Sequence, residues 1–208
     1  YKNIFILMSG SLEVILGCMW SGKSTEIIRI AKRYRSIGKN VLIIKNNKDN
    51  RYNFSESYVV SHDQEKIQCI NSSQLIPLVD TKMYSLADII IIEEAQFFKD
   101  LYNFSILTTD KKHKTLIVVG LDGDFQRKPF GDILKLIPCS DKVTKLNALC
   151  MICNDGTLAN FTKRCTNSTE QELVGADDIY MAVCRKHYNS DITDLKKCNV
   201  EVLFKDSF

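Results

Sequence analysis

The sequence has no apolar run that approaches the ~20 residues of a membrane-spanning helix. The isoleucine run at residues 89–92, for example, lies between Asp88 and Glu93. Residues 1–7 are too short, and have too little flanking sequence, to form a secretory signal. We therefore expect a soluble, cytoplasmic protein with no membrane partner.

An excess of one charge is also missing, since 28 Lys and Arg residues face 25 Asp and Glu residues and give a net charge of +3. A dedicated nucleic-acid binder concentrates basic residues on one face. The basic cluster at residues 111–114 is more typical of a solvated turn between a helix and a strand. We therefore expect no nucleic-acid partner, whereas small ligands that carry phosphate remain compatible with this charge.

Internal repeats and low-complexity segments are absent, and 45% of the 208 residues are apolar, which excludes a disordered or collagen-like chain. A chain of this length fits one domain of ordinary size with a small appendage. The eight cysteines lack the density of a secreted mini-protein. Their uneven spacing favours reduced thiols and a metal site over disulfides.

Strand and helix patterns alternate through the first two thirds of the chain. The predicted strands are residues 12–16, 41–44, 89–92 and 115–119. Helical spacing of apolar residues from Ile27 to Gly38 predicts one helix, and a second is predicted at residues 98–108, with a loop or small hairpin at 45–63. The β-branched run at residues 89–92 is typical of a parallel strand buried on both faces. This order predicts an α/β fold with a parallel sheet.

The pattern changes after about residue 146, where cysteine pairs flank a polar segment and no helical or strand period stands out. We therefore divide the chain into an α/β domain at residues 1–146, a small second domain at 147–190 and a C-terminal tail at 191–208.

The strongest local motif is GCMWSGKS at residues 17–24, which matches G-x4-G-K-[ST] and lies between a predicted strand and a predicted helix. Its glycines allow backbone N–H groups to surround a phosphate, and the helix N-terminus adds its positive dipole. Lys23 would reach the β- and γ-phosphate oxygens of ATP, and the Ser24 hydroxyl would ligate Mg²⁺. The candidate phosphate-binding residues are Gly17, Met19, Ser21, Gly22, Lys23, Ser24 and Thr25.

Two adjacent carboxylates, Glu93 and Glu94, follow the isoleucine run. In phosphate-loop enzymes an acidic residue at the end of a neighbouring strand holds the metal, and a second acid can orient or deprotonate the nucleophile. Consecutive strand residues point to opposite faces, so the two acids can divide these roles.

Two chelating pairs lie in the second domain: Cys150 and Cys153 in a CxxC pair, and Cys184 and His187 in a CxxH pair. Three thiolates and one imidazole are the ligand set of a closed, tetrahedral zinc site. Because four protein ligands leave no open position for water or substrate, the predicted Zn²⁺ is structural.

With these motifs, the chain resembles the thymidine kinase family that carries a zinc-containing lasso domain, and the resemblance extends over nearly all of residues 12–188. It is carried by GCMWSGKS at 17–24, KDNRY at 48–52, HD at 62–63, EEAQFF at 93–98, LDGDFQRKPFG at 121–131, FTKR at 161–164 and the two metal-binding pairs. It implies transfer of phosphate from ATP to the 5′-hydroxyl of thymidine on a RecA-like sheet. It also implies a homotetramer that is inhibited by dTTP.

The resemblance further implies roles for individual residues. Glu94 matches the general base on the 5′-hydroxyl, and Arg51 matches the arginine that contacts the transferring phosphate, with Lys23 as the third catalytic residue. Asp49 and Glu93 match the acidic residues around Mg²⁺, with Ser24 as the direct ligand. The residues that match the thymidine pocket are Met19, Phe97, Leu121, Phe125, Phe130, Thr162 and Tyr180. The lasso between Cys153 and Cys184 would supply backbone partners to the base.

The sequence departs from this family at several positions. Glu93 stands where the family usually has Asp, so its carboxylate extends one methylene further. Two alternatives remain open at this point. One is a zinc-ribbon ATPase that binds nucleic acid, and the other is a kinase for another deoxynucleoside or for a nucleoside monophosphate.

Overall fold

The computed structural model describes residues 9–46, 57–61, 63–165 and 179–190. Its central sheet contains β1 (Ser11–Gly17), β2 (Val41–Asn46), β3 (Ser57–Val60), β4 (Lys66–Ser72), β5 (Ile89–Glu93), β6 (Thr115–Gly120) and β7 (Lys142–Leu146). The strand order is β3-β4-β2-β5-β6-β1-β7. Neighbouring strands are parallel except for β3, which pairs antiparallel with β4. The predicted α/β fold with a parallel sheet is therefore confirmed.

Helices cover both faces of this sheet. The helix α1 (Lys23–Arg35) packs its buried isoleucines against one face. The short helices α2 (Lys82–Leu86) and α3 (Leu101–Ile106) lie on the other face, where Tyr84 and Phe104 meet edge to face. Short 3-10 turns occur at Ile76–Asp80, Ala95–Phe97 and Ile133–Cys139, and a π turn occurs at Leu107–Lys111.

The strand β5 shows why the centre of the sheet is stable. All five of its residues are buried. Ile90 and Ile92 belong to the apolar cluster on the α3 side, whereas Ile89 and Ile91 belong to the cluster on the α1 side. Because side chains alternate along a strand, a continuous isoleucine run supplies both clusters at once.

The helix predicted at residues 98–108 begins later and ends differently. Ala95–Phe97 form the 3-10 turn, and the N–H of the next residue, Phe98, closes it by donating to the carbonyl of Ala95 at 3.1 Å. At the other end, the Thr109 hydroxyl donates to the carbonyl of Ser105 at 2.9 Å, inside the π turn. Hydroxyls that bond back to a helix carbonyl widen or bend the helix. The predicted helix is therefore shortened at its start by the 3-10 turn after β5, and it continues at its end into the π turn.

After β7, the chain forms small elements: β8 (Ala148–Leu149), β9 (Leu158–Ala159), β10 (Phe161–Arg164), β11 (Tyr180–Val183) and α4 (Arg185–Asn189). These strands pair antiparallel as β8–β9 and β10–β11. Strands of two to four residues are too short to leave a period in the sequence, which explains why no pattern stood out there. The predicted domain boundaries stay predictions.

The topology places the carboxyl ends of three central strands next to one another, along one edge of the sheet. The parallel strands β1, β6 and β5 are consecutive neighbours, so their carboxyl ends, at Gly17, Gly120 and Glu93, meet at the same edge. Ligands of open α/β sheets bind outside the carboxyl ends of the strands. In the described ranges, no helix is long and apolar enough to cross a membrane.

Candidate active site

The phosphate-loop motif forms the connection between β1 and α1, as predicted. Gly22 has φ of +79° and immediately precedes α1, whose first hydrogen bond runs from the Glu26 N–H to the Gly22 carbonyl at 2.9 Å. A Cβ atom on Gly17 would lie 2.4 Å from the Ser21 hydroxyl oxygen. Both ends of the loop therefore need glycine, one for its backbone conformation and the other for space.

Lys23 folds back over this loop. Its ammonium donates to the carbonyl of Gly17 at 3.2 Å and to that of Cys18 at 2.7 Å. Burial lowers the pKa of the Lys23 ammonium, and the nearby carboxylates of Glu94, Asp122 and Glu93 act in the opposite direction. A cation at the first residue of a helix and next to exposed N–H groups is placed to receive phosphate oxygens.

Ser24 and Glu93 meet across the end of the sheet. The Ser24 hydroxyl donates to Glu93 Oε1 at 3.0 Å, and Glu93 is only 6% exposed. A hydroxyl and a carboxylate side by side are oxygen donors of the kind that Mg²⁺ prefers. The pair predicted to surround Mg²⁺ is thus brought together, whereas Asp49 and Arg51 lie outside the described residues.

Glu94 takes a different direction from Glu93. Its φ of +51° is in the left-handed region, and the chain enters the Ala95–Phe97 turn directly after it. The side chain is half-buried, and the amide of Gln96 donates to its Oε2 atom. A non-glycine residue in this conformation is uncommon, and such strain clusters at functional sites. The two adjacent acids therefore occupy different environments.

The residues predicted to line a nucleoside pocket contact one another in small groups. Phe97 and Phe130 meet edge to face with ring centroids 5.4 Å apart. The guanidinium of Arg164 lies 3.7 Å from the centroid of the Phe125 ring and donates to the Tyr180 hydroxyl at 2.6 Å.

Thr162 brings the second region of the chain to the phosphate loop. Its hydroxyl accepts the N–H of Met19 at 3.0 Å, although 143 residues separate the two. Nearby, the Cys18 thiol donates to the carbonyl of Ala159 at 3.5 Å. The phosphate loop is therefore tied to β9 and β10.

Three residues of this site were missing from the sequence-based candidates. Gln96 is 4% exposed and contacts Glu94. Arg164 is 4% exposed and lies between two aromatic rings. The Tyr188 hydroxyl donates to the carbonyl of Phe125 at 2.7 Å. Gln96 and Arg164 belong to the EEAQFF and FTKR motifs, but the motifs alone do not show which partner each side chain meets.

The predicted metal ligands form one cluster. The donor atoms of Cys150, Cys153, Cys184 and His187 all lie within 4.8 Å of one another. His187 Nδ1 is 3.4–3.5 Å from the three sulfurs, and the sulfurs of Cys153 and Cys184 are 3.9 Å apart. Zinc bonds of about 2.3 Å to sulfur and 2.0 Å to nitrogen in a tetrahedron give edges of about 3.8 and 3.5 Å. The four side chains therefore fit a structural zinc site.

Backbone groups prepare this cluster for a metal. The Cys184 N–H donates to the sulfur of Cys150 at 3.3 Å. Burial opposes ionisation of Cys150, but hydrogen bonds from the backbone of Cys153, Cys184 and Ile152 lower the pKa of the Cys150 thiol to about 6. Burial and the neighbouring thiols of Cys150 and Cys184 raise the pKa of Cys153 to about 11. Because the thiolate is the form that binds metal, Cys150 is the thiol that the backbone prepares for coordination.

Lys163 fixes the helix that carries His187. This residue is 7% exposed, and its ammonium donates to the carbonyls of His187 at 2.9 Å and Tyr188 at 3.1 Å, and to that of Ser190. A cation at the C-terminal end of a helix satisfies carbonyls that have no partner within the helix. Together with the Tyr188 bond to Phe125, this contact links the metal cluster to the loop at residues 121–131.

Comparison with known proteins agrees with these features. The family model described as thymidine kinase matches residues 10–188. A thymidine kinase of Sheeppox virus (strain KS-1) is 47% identical over 179 residues, which cover 86% of this chain and 97% of the viral protein. A thymidine kinase of Oryza sativa subsp. japonica is 41% identical over 209 residues, covering 94% of this chain and 76% of the rice protein. Since the match includes the phosphate loop, both acids and the four metal ligands, this chain belongs to the thymidine kinase family.

Proposed function

We propose that the protein transfers the γ-phosphoryl group of ATP to the 5′-hydroxyl of thymidine and releases dTMP and ADP. The observation that carries this proposal is the meeting of three elements at one edge of the sheet. These elements are the phosphate loop, the acids that end β5, and the strand β10, whose Thr162 bonds to Met19. This arrangement supports a site for the phosphate donor beside a site for the nucleoside. Deoxyuridine, which lacks only the methyl group of the base, is expected to be accepted as well.

The phosphate loop holds the donor. Backbone N–H groups between Gly17 and Gly22 surround the β-phosphate, at the N-terminus of a helix of 13 residues. Lys23 exchanges its present carbonyl partners for oxygens of the β- and γ-phosphates and stabilises the charge that develops there. Met19, Ser21 and Thr25 complete the proposed phosphate-binding set.

Ser24, Glu93 and Asp49 would hold Mg²⁺, as the contact between Ser24 and Glu93 supports. An Mg²⁺ ion held by these residues would supply positive charge that offsets part of the negative charge on the phosphates of ATP. Structural zinc would be held by the Cys150, Cys153, Cys184 and His187 cluster.

Glu94 acts on the acceptor. Its carboxylate accepts the proton of the 5′-hydroxyl while that oxygen bonds to the γ-phosphorus and the bond to the bridging oxygen of ADP breaks. The transition state of such transfers is loose, so Glu94 also orients the hydroxyl before the proton leaves. Arg51 is assigned to the transferring phosphate on the basis of family resemblance.

The nucleoside pocket combines flat apolar walls with the lasso. Phe97 and Phe130 form one aromatic pair, and Phe125 is held by Arg164, which also binds Tyr180. Met19, Leu121 and Thr162 complete the proposed lining. A planar base fits between aromatic and aliphatic groups, and its polar edge requires a few placed partners, which the lasso backbone would supply.

We also assign the family's homotetramer, inhibition by dTTP and cytoplasmic location to this protein. An end product that carries the same base would occupy the nucleoside pocket and extend its phosphates towards the phosphate loop. No disulfide joins the described cysteines, which supports a reducing compartment.

Formation of ADP with purified protein tests the proposed function. We expect ADP and dTMP to form in equal amounts when thymidine, ATP and Mg²⁺ are present and no DNA is added. Deoxycytidine and thymidine monophosphate serve as competing acceptors. ADP formation that requires DNA, or that prefers another acceptor to thymidine, would overturn the proposal.

A further inference from the structure

Gln96 is a buried amide that bridges the acid Glu94 to the loop after β6. Its Nε2 atom donates to Glu94 Oε2, and its Oε1 atom accepts the N–H of Leu121 at 3.0 Å. The residue is only 4% exposed, so water competes little for the groups that form these two hydrogen bonds. Both polar ends of one side chain are therefore used inside the site.

The chemistry of the two partners fixes which way this amide points. A backbone N–H can only donate, so the oxygen of Gln96 must face Leu121. The NH₂ group then faces the carboxylate of Glu94, which accepts. Rotating the amide by 180° would place its NH₂ group against the Leu121 N–H and its oxygen against the carboxylate, and would lose both bonds.

Gly120 and Gly131 pack so closely against Gln96 that they restrict the positions of its side chain and its backbone. A Cβ atom on Gly120 would lie 2.4 Å from Gln96 Oε1, and one on Gly131 would lie 2.1 Å from the Gln96 carbonyl oxygen. Gly131 also has φ of +61°. Backbone from the end of β6 and from the 121–131 loop thus packs directly on this residue.

We propose that Gln96 is the positioning residue for Glu94. It holds one carboxylate oxygen of Glu94, which leaves Oε1 to face the 5′-hydroxyl of the nucleoside. Gln96 also joins Glu94 to Leu121, a residue that we propose for the wall of the nucleoside pocket. This inference rests on the proposed function, because it assigns Gln96 a task in that same reaction.

Replacing Gln96 by methionine removes the hydrogen bonds and keeps the length of the side chain. We expect Gln96→Met to lower kcat by about 10- to 100-fold, since a hydrogen bond to a charged group is lost. The KM for ATP should stay within about twofold, because Glu94 and Leu121, the hydrogen-bond partners of the Gln96 side chain, lie outside the phosphate loop. Gln68→Met, an exposed position on β4, is the matched control and should keep full activity.

A double-mutant cycle separates positioning from a structural role. If Gln96 acts through Glu94, then Gln96→Met should lower kcat by no more than about twofold when Glu94 is already replaced by glutamine. A residue that only stabilises the fold would lower kcat by the same factor in both backgrounds. Multiplying effects would therefore overturn the proposal.

Gln96→Glu keeps shape and volume, and gives a second test if the methionine variant does not fold. A second carboxylate beside Glu94 would share its proton and raise the pKa of the pair. The acid limb of the kcat profile against pH should then move to higher pH. Unchanged kcat and an unchanged profile would overturn the proposal. If Glu94→Gln itself keeps full kcat, the assignment of the general base in the proposed function is wrong instead.

Discussion

The sheet region, β1 to β7, and the clamp region, which comprises the described residues 148–165 and 179–190, are stabilised by different means. The sheet has two apolar clusters rich in isoleucine and leucine, one on each face. The clamp has a smaller cluster, in which alanines and metal-binding cysteines predominate. Apolar burial can stabilise a domain of the first kind, whereas a unit as small as the second usually needs a metal or a disulfide.

The two regions also contribute different residues to the proposed site: the sheet region carries the candidate catalytic residues, and the clamp carries residues proposed to position thymidine. The phosphate loop, Glu93 and Glu94 all belong to the sheet region, at the carboxyl ends of β1 and β5. The clamp contains Thr162 and Tyr180, which we propose for the nucleoside pocket. It contacts the sheet region through hydrogen bonds to Cys18, Met19 and Phe125, and Cys18 and Trp20 also pack against its apolar cluster. We therefore expect changes in the sheet region to affect kcat, and changes in the clamp to affect mainly the KM for thymidine.

The largest effect is expected for Lys23→Ala. Loss of a preorganised cation at the γ-phosphate should lower kcat by at least about 10²–10³-fold, with zinc content and folding unchanged. Lys32→Ala on the exposed side of α1, where the ion pair with Glu65 contributes little, should keep normal activity. Steady-state kinetics and metal analysis measure both variants. Near-normal turnover of Lys23→Ala would contradict the phosphate-loop assignment.

The next effect distinguishes the two acids. We expect Glu94→Gln to lower kcat by about 10²–10⁴-fold with little change in the affinity for ATP or thymidine, as for a positioned general base. Glu93→Gln should instead weaken the response to Mg²⁺, and higher Mg²⁺ should restore part of the activity. Titrations of Mg²⁺ against rate measure this difference. If Glu93→Gln loses kcat with unchanged Mg²⁺ dependence and Glu94→Gln does not, the two roles are exchanged.

Loss of zinc should act on the clamp before the sheet. Structural zinc contributes about 10–16 kcal/mol in small sites, so Cys153→Ser or chelation should expose the clamp region to protease while the sheet stays folded. The KM for thymidine should rise by roughly 10- to 100-fold, which is the size of the loss in activity when residues that support metal ligands are replaced. Cys139→Ser, at an exposed cysteine outside the cluster, is the control. Well-folded, fully active protein without zinc would contradict this prediction.

The smallest effect is expected at the contact between the two regions. Tyr188→Phe removes only the hydroxyl that donates to Phe125, so Phe161 and Arg127 keep their ring contacts. A neutral hydrogen bond contributes about 0.5–1.5 kcal/mol, which predicts a two- to tenfold rise in the KM for thymidine at unchanged kcat and zinc content. Tyr102→Phe is the control. An unchanged KM would show that Tyr188 does not support the pocket.

The sequence predicted those features that depend on neighbouring residues. The phosphate loop, the two adjacent acids and the CxxC and CxxH pairs are each short motifs of neighbouring residues. The strand β5 is recognised from its uninterrupted run of isoleucines. The role of Gln96 could not be predicted, because it depends on Leu121, Gly120 and Gly131, which the fold brings to it from 24 to 35 positions away. The position of Arg164 between Phe125 and Tyr180 is likewise a product of tertiary packing.

The hydrogen bond from Met19 to Thr162 joins the phosphate loop to β10. In the proposed function this bond would set the distance between the two substrates. Met19 belongs to the loop that would hold the phosphate donor, and Thr162 to the strand that would contact the acceptor. Any drift of β10 would therefore move the acceptor site away from the phosphate loop, so that fewer bound thymidine molecules lie in the productive position. A structural zinc ion takes no part in the reaction, but by stabilising the region that contains β10 it would help to keep the two substrates at a fixed distance.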